Sequence, residues 1–248
     1  HISYEKEKEH KKKRVEDAFL HLAHMDIKAE TLLSDDKTSC YRNKAQYPVS
    51  FDRQLKIGFF APRSHRVVDC ENCILQPPIF ADIVKIFRKF IIKNGITVYD
   101  SEKHTGLLRH IYLRLAEATG EVMVCAVING SDLPHKEELI KNLTEIPSVK
   151  SIVLNINRDR TNVILGKECV TVWGNDCIYD VLCGVKVRLS PLSFYQVNHD
   201  MAQQLYKKAA EYACLSGKET VLDMYCGTGT IGLSMAKKAK RIIGAEIV

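Results

Sequence analysis

A glycine-rich segment near the carboxyl end of the chain has the residue types and spacing of a nucleotide-binding loop. Residues 227–232 read Gly-Thr-Gly-Thr-Ile-Gly, which is G-x-G-x-x-G, and they follow an apolar run typical of a buried β-strand. Gly227 and Gly229 let a ligand approach the backbone, and Gly232 permits close contact between helix and strand. The following helix offers free N–H groups and the positive end of its dipole. Glu246 ends the next apolar run, where a carboxylate can accept both hydroxyls of a ribose.

The loop alone does not distinguish two ligands that contain adenosine, a nicotinamide dinucleotide and S-adenosylmethionine (SAM). Dinucleotide-binding folds commonly open with this unit, whereas here most of the chain precedes it. Asp223 stands two residues before Tyr225 at the end of the first strand. A carboxylate suits the ammonium and sulfonium charges of SAM, which has no pyrophosphate to neutralise. SAM is therefore favoured, and an NAD-dependent oxidoreductase is the alternative.

The elements that must position this loop fall into three predicted segments. Residues 1–39 contain a helix over residues 5 to about 24, followed by a linker. Residues 40–188 form an α+β domain, in which antiparallel strands alternate with two helices. Residues 189–248 contain a helix with Asn198 at its N-cap and then a β-α-β unit. The predicted fold class is an α+β central domain followed by the first β-α-β unit of an α/β, Rossmann-like domain.

Composition excludes several classes of protein. The chain has 248 residues, a formal charge of +6 and 46% apolar residues, which is an ordinary globular mixture. No apolar run approaches the roughly 20 residues that a membrane-spanning helix needs, so no membrane contact is expected. Nine cysteines without a secretory signal predict reduced thiols and a cytoplasmic location.

Two motifs resemble those of the RNA (uracil-5-)-methyltransferases, the SAM-dependent enzymes that methylate C5 of uridine in 23S ribosomal RNA or in tRNA. The motifs are SFYQVN at 193–198 and LDMYCGTGT at 222–230, followed by GAE at 244–246. The segments CYRNKAQYPV at 40–49 and GFF…SH…VD…C at 58–73 are also similar to the central domain of that family. The resemblance covers nearly the whole chain and implies methylation of uridine in RNA, with 23S rRNA as the expected substrate.

The resemblance also implies roles for individual residues. Gln196 and Tyr225 would flank the methionine end of SAM, Glu246 would hold the ribose, and Thr230 would be a further contact. Cys73 matches the fourth ligand of a [4Fe–4S] cluster. The other three ligands would lie in a stretch that this chain does not contain, so the cluster is expected only in a longer parent protein.

The catalytic segments of that family are also missing. Its nucleophile lies in a Ser-Cys-Asn-Pro-like segment and its base is a Glu near the carboxyl end, and neither occurs here. No catalytic residue is therefore assigned, and the chain alone is expected to be inactive. The chain looks truncated at both ends, and a longer parent or a second chain is expected to complete the sheet.

RNA binding is predicted from basic residues interleaved with aromatic ones between residues 40 and 66. Lys44 and Arg63 are the predicted RNA contacts. A non-catalytic RNA-binding module remains a further alternative, because the α+β domain could work alone.

Overall fold

The computed structural model describes residues 2–247. The chain forms two compact units, and the division lies between Thr38 and Ser39. Among the described residues, no helix is both long and apolar enough to cross a bilayer.

The first unit consists of helix α1, Tyr4–Ala23, and the extended segment that follows it. The Ser3 hydroxyl accepts a hydrogen bond from a backbone N–H of the first turn, and His24 ends the helix in a left-handed conformation. The predicted helix is confirmed. No residue of α1 is buried, and Leu22 is 84% exposed.

The second unit is built on a seven-stranded sheet. Its strands are β1 Lys44–Asp52, β2 Gln54–Phe60, β3 Val67–Asp69, β4 Leu108–Leu115, β5 Val122–Ile128, β6 Val149–Ile156 and β7 Glu168–Gly174. Their order in space is β3-β2-β1-β4-β5-β6-β7. All neighbours are antiparallel except β5 and β6, which are parallel. The prediction of antiparallel strands is wrong for that pair, because a helix between β5 and β6 carries the chain back to the end where β5 began.

Two helices cover one face of this sheet. They are α2 Pro78–Asn94 and α3 Lys136–Thr144. The apolar stripe of α2, with Phe80 and Phe87 fully buried, packs on inward-facing sheet residues such as Ile111. Each such side chain stabilises the fold by roughly 1.5–3 kcal/mol. Gly95 ends α2 in a left-handed conformation, as the Asn-Gly pair predicts.

A hairpin and a helix cover part of the other face. They are β8 Ile178–Leu182, β9 Val185–Leu189 and α4 His199–Tyr212. Sheet residues such as Tyr112 and Val153 pack against this layer. Strand β8 was not predicted, because Asp180 points inward and interrupts the apolar alternation. The predicted domain boundary at residue 188 falls inside β9.

The last elements form the predicted β-α-β unit. They are β10 Thr220–Met224, α5 Thr230–Ser234, a 3-10 turn at Ala236–Lys238, and β11 Arg241–Ala245. Strands β10 and β11 are parallel and in register from Thr220–Arg241 to Met224–Ala245. The expected burial of the first strand is wrong for the described chain, because alternate residues of β10 are exposed.

Candidate functional site

The glycine loop lies at the carboxyl ends of β10 and β11. The Cys226 N–H donates to the Ala245 carbonyl (3.0 Å), which extends the pairing of the strands by one step. Tyr225, Gly227 and Gly229 then all have positive φ, at 62°, 54° and 74°. Two glycines accept this conformation without strain, whereas Tyr225 adopts it at a cost and presents a side chain that is 83% exposed.

Glu246 is held against this loop. One of its carboxylate oxygens accepts the Gly227 N–H (2.7 Å) and the other accepts the Ile247 N–H (2.8 Å). A carboxylate oxygen has two lone pairs, so an oxygen that accepts one N–H donor is able to accept a second donor such as a ribose hydroxyl. A side chain added at Gly227 would meet nothing within 4 Å, so the backbone is open to a ligand there. These features fit the sugar of an adenosine.

Gly232 gives α5 its close approach to the sheet. A Cβ at this position would lie 2.9 Å from both Asp223 Oδ2 and Ile242 Cγ2. The Gly232 N–H instead donates to Asp223 Oδ2 (2.9 Å). One oxygen of the carboxylate predicted to face a cationic donor is therefore engaged with the helix.

Helix α5 contains five residues, fewer than the sequence pattern predicts. The Ser234 hydroxyl donates to the Ile231 carbonyl (2.6 Å), and the chain then tightens into the 3-10 turn. So short a helix sums few peptide dipoles, and the expected contribution of the helix end to ligand binding is smaller than the motif suggests.

Thr230 faces α4 with its side chain. It is buried, and its hydroxyl donates to the Tyr206 hydroxyl (3.3 Å). The Thr230 hydroxyl already donates its hydrogen to Tyr206 and is buried, so its backbone N–H is the group better suited to donate to a ligand in that predicted role.

The Gln196 segment, residues 190–198 between β9 and α4, lies beside the glycine loop. The Thr228 hydroxyl donates to the Phe194 carbonyl (3.4 Å), and the Asn43 side-chain amide donates to the Gln196 carbonyl (3.0 Å). Gln196 is half-buried. The structure thus brings the segment of Gln196, the loop and Glu246 to one end of the unit.

Arg114, a residue of β4, holds the Gln196 segment through hydrogen bonds. It is buried, and its guanidinium donates to the carbonyls of Ser190 (2.9 Å) and Ser193 (2.6 Å). Its charge also lies over the Tyr112 ring, 5.5 Å from the centroid. Burial lowers the pKa of Arg114, and Tyr112 opposes that shift. Sequence reasoning missed Arg114, because nothing nearby in the chain marks its partners, which lie 76 and 79 residues away.

Asp180 fixes the same segment from the hairpin side. It is fully buried and accepts the Tyr195 hydroxyl (3.0 Å). Burial, and then the Asp180 charge, raise the pKa of Tyr195, so the phenol stays protonated and donates. The sequence signal for this role of Asp180 is a single acidic residue within the apolar run Ile178–Leu182.

Lys44 and Arg63 occupy different surroundings. Lys44 begins β1 opposite Arg114, and burial, followed by the charges of Arg114 and Arg42, lowers its pKa. Cations gathered in this way favour an anionic partner. Arg63 is exposed in the turn between β2 and β3, with φ 58°.

The thiols of the described residues do not complete a metal site. Cys70 and Cys73 are half-buried neighbours, and burial and then Cys73 raise the pKa of Cys70. Within residues 2–247, no group of three or more His, Cys, Asp or Glu side chains is placed to hold a metal. A cluster on Cys73 would need thiols from elsewhere. Cys226 packs against Gly244, where a Cβ would lie 2.9 Å from its Sγ.

Comparisons with known proteins point in one direction. A scan of models of known protein families gives no match. An uncharacterized RNA methyltransferase of Clostridium tetani is 44% identical over all of this chain and 54% of its own length. Another from Halalkalibacterium halodurans is 41% identical over all of this chain and 55% of its length. The chain resembles RNA methyltransferases from end to end. It spans about half the length of these relatives.

A solved structure is similar in sequence and in fold. It is the crystal structure of Pyrococcus abyssi tRNA (uracil-54, C5)-methyltransferase in complex with S-adenosyl-L-homocysteine. The match has a TM-score of 0.81 and 27% identity, and it covers 99% of this chain and 57% of the other. A SAM-dependent methyltransferase fold is therefore supported over essentially the whole chain.

Proposed function

We propose that the protein containing this chain transfers a methyl group from SAM to C5 of uridine in RNA. The observation that carries the proposal is the Glu246 carboxylate fixed on the Gly227 N–H, beside the segment of Gln196, in a chain that matches the tRNA methyltransferase structure along 99% of its length. SAM, when bound, supplies an electrophilic methyl group on a sulfonium.

The residues of this chain would bind and orient the donor. Glu246 would accept the ribose hydroxyls while Gly227 and Gly229 let the ligand lie against the backbone. Tyr225, already exposed at the loop, would cover the methionine end on one side, and Gln196 would offer its amide on the other. Asp180 and Arg114 hold the Gln196 segment in place before the donor arrives, which reduces the ordering cost of binding.

Within these 248 residues we assign none to the chemistry on uracil. C5 of uracil becomes nucleophilic once a thiolate has added to C6. After C5 has been methylated, a base must remove the C5 proton so that the C6–S bond breaks and the thiolate leaves. None of the nine cysteines lies in a Ser-Cys-Asn-Pro-like segment. We therefore expect the 248-residue chain alone to bind the donor but to transfer no methyl group.

We propose 23S rRNA as the substrate and the cytoplasm as the location. Lys44, in its cationic group, and Arg63, in its exposed turn, are the proposed RNA contacts. All nine cysteines are unpaired, which suits a reducing compartment. Since the similar solved structure is named for tRNA, an assay with radiolabelled SAM on the complete protein should include both RNAs. Methylation of tRNA but not of 23S rRNA would show that the proposed substrate is wrong.

For Cys73, we propose a cluster-ligand role only in a longer protein that supplies the other thiols.

Ligand binding by calorimetry tests the donor site. We expect S-adenosyl-L-homocysteine (SAH) to bind more tightly than NADH. Glu246→Gln should weaken SAH binding about 10- to 100-fold, because a hydrogen bond to a charged group contributes about 1.5–3 kcal/mol. Glu211→Gln, which removes an exposed carboxylate of α4, is the matched control. Tighter NADH binding would favour the oxidoreductase, and RNA binding without any SAH binding would favour the non-catalytic module.

A further inference from the structure

A cleft of about 940 Å³ opens on the sheet face that the hairpin and α4 leave uncovered. It lies over β1 and β4, and three loops that are distant in sequence border it. Among its lining residues are Phe60, Tyr99, His110 and Arg160. Its volume is in the range of small-molecule sites, which run from about 300 to 1,000 Å³.

Aromatic rings form one wall of the cleft. The Phe60 ring meets the rings of His65 and His110 edge-on, with centroids 5.8 and 6.3 Å away. Phe60 is nonetheless 44% exposed. A flat apolar ring held in place at a solvent-open cleft is a surface on which an unpaired base can stack.

The lining is basic. Of the described residues that line the cleft, none is Asp or Glu, whereas Arg109 and Arg160 both line it. Arg109 is 4% exposed, and it donates to the backbone carbonyls of Asn157 (2.7 Å) and Asp159 (2.9 Å). A buried cation held by carbonyls keeps its positive charge, so the cleft favours an anion.

His110 supplies hydrogen-bonding groups without partners. Neither ring nitrogen of His110 is exposed, and neither has a hydrogen-bond partner in the described structure. Burial, and then the charge of Arg109, lower the pKa of His110 to about 4. At neutral pH the ring is therefore uncharged, with one donor and one acceptor. Buried polar groups of this kind normally have partners, and an occupant of the cleft would provide one once the His110 ring turned towards it.

A row of paired strand residues leads from the cleft to the Gln196 segment. Lys44, Gln46 and Pro48 of β1 pair in register with Arg114, Tyr112 and His110 of β4. Alternate residues of a strand share a face, so this row runs along one face of the sheet. One end is Arg114, which holds Ser193, and the other is His110, roughly 14 Å away along the strand.

We propose that this cleft binds one unstacked nucleotide of the substrate RNA, a neighbour of the methylated uridine, with its base on Phe60 and its phosphate beside Arg160. The inference rests on the proposed function, because it takes RNA as the ligand. It adds a second base-binding position on the central sheet, apart from the donor site.

Fluorescence anisotropy with the complete protein tests the base contact. The probe is a fluorescein-labelled single-stranded oligouridylate of about ten nucleotides at fixed salt. Phe60→Ala should weaken binding about tenfold, because base–aromatic stacking is worth about 1–3 kcal/mol per base. Phe51→Ala is the matched control, since Phe51 is an exposed strand aromatic that does not line the cleft.

A strand of the same length without bases separates stacking from other effects. On this abasic strand, Phe60→Ala should change the affinity by less than about twofold, the margin of additivity for independent sites. Arg160→Ala should lower the slope of log affinity against log salt by about one, whereas its neighbour Arg158→Ala should not. Phe60→Leu keeps the apolar bulk without a ring face, and it should behave as Phe60→Ala does.

Each result decides one question. The proposed nucleotide site would be refuted if Phe60→Ala and Phe51→Ala lost equal affinity for the RNA, or if Phe60→Ala lost equal affinity for the normal and abasic strands. Either result would leave RNA binding by the protein intact. If the wild-type protein binds neither strand, the RNA part of the proposed function fails, and this inference fails with it. SAH binding is measured separately and is unaffected by either outcome.

Discussion

Replacement of Asp180 by asparagine should destabilise the protein and loosen the segment that carries the proposed SAM contact. Asp180 is fully buried. One of its oxygens accepts the N–H groups of Ala118 (2.8 Å) and Val181 (2.9 Å). The other accepts the Glu117 N–H (3.1 Å) and the Tyr195 hydroxyl (3.0 Å). This carboxylate therefore joins the end of β4, the hairpin and the segment of Tyr195.

The magnitude follows from these hydrogen bonds. Asparagine keeps the size of the side chain, but only one of its two terminal atoms accepts a hydrogen bond. Whichever way the amide turns, at least one backbone N–H that bonds to the carboxylate instead faces an NH₂ group, at a cost of about 1–3 kcal/mol. The remaining bonds also lose the strength that the charge gives them. We expect the free energy of unfolding to fall by about 3–5 kcal/mol, which lowers the melting temperature by roughly 10 °C.

Urea unfolding followed by circular dichroism, together with SAH calorimetry, measures both consequences. Asp176→Asn is the control, because Asp176 lies just before the same hairpin and its carboxylate forms an exposed ion pair with Arg188 (2.5 Å). Exposed ion pairs contribute about 0–1 kcal/mol. If Asp180→Asn unfolded at the same urea concentration as Asp176→Asn, the argument that buried hydrogen bonds hold this segment would be refuted.

Two further predictions concern the cleft and the glycine loop. The pKa of His110 is about 4 in the folded protein and roughly 6.5 in the unfolded chain, so its stabilising effect is complete above pH 6.5 and is lost as the pH falls towards 4. The loss reaches about 3 kcal/mol, and urea unfolding across that range should show a flatter profile for His110→Phe; parallel profiles would contradict this. Gly232→Ala should lower stability by about 1–3 kcal/mol and weaken SAH binding, because its Cβ would lie 2.9 Å from Asp223 and Ile242. An unchanged thermal midpoint would show that α5 can move away without cost.

Much of the donor site could be predicted from the sequence, because its determinants lie close together in the chain. The glycine loop occupies six consecutive positions just after β10, and its helix, the strand β11 and Glu246 follow within 20 residues. Their placement at one sheet end is a consequence of parallel strand order. The structure confirms the β-α-β arrangement, whereas the roles of Gln196, Tyr225 and Thr230 remain predictions.

Local patterns also determined most of the helices and strands. The 3.6-residue apolar period of α2 and its Asn-Gly end are local signals, and the structure matches them. The parallel pairing of β5 with β6 had no such signal, because strand neighbours depend on where a connecting helix packs. Likewise the exposure of β10 depends on what lies beside it and cannot be read from its apolar residues.

Only the tertiary structure revealed the buried side chains that hold the Gln196 segment, and the cleft. Arg114 and Asp180 bond to partners more than 60 residues away. Phe60, His110 and Arg160 meet only because three loops converge over β1 and β4. A chain's local pattern fixes periodicity, turns and caps, which involve residues a few positions apart. The charge and hydrogen bonding of a buried side chain are instead set by whatever the fold places around it, and that information is distributed over the whole sequence.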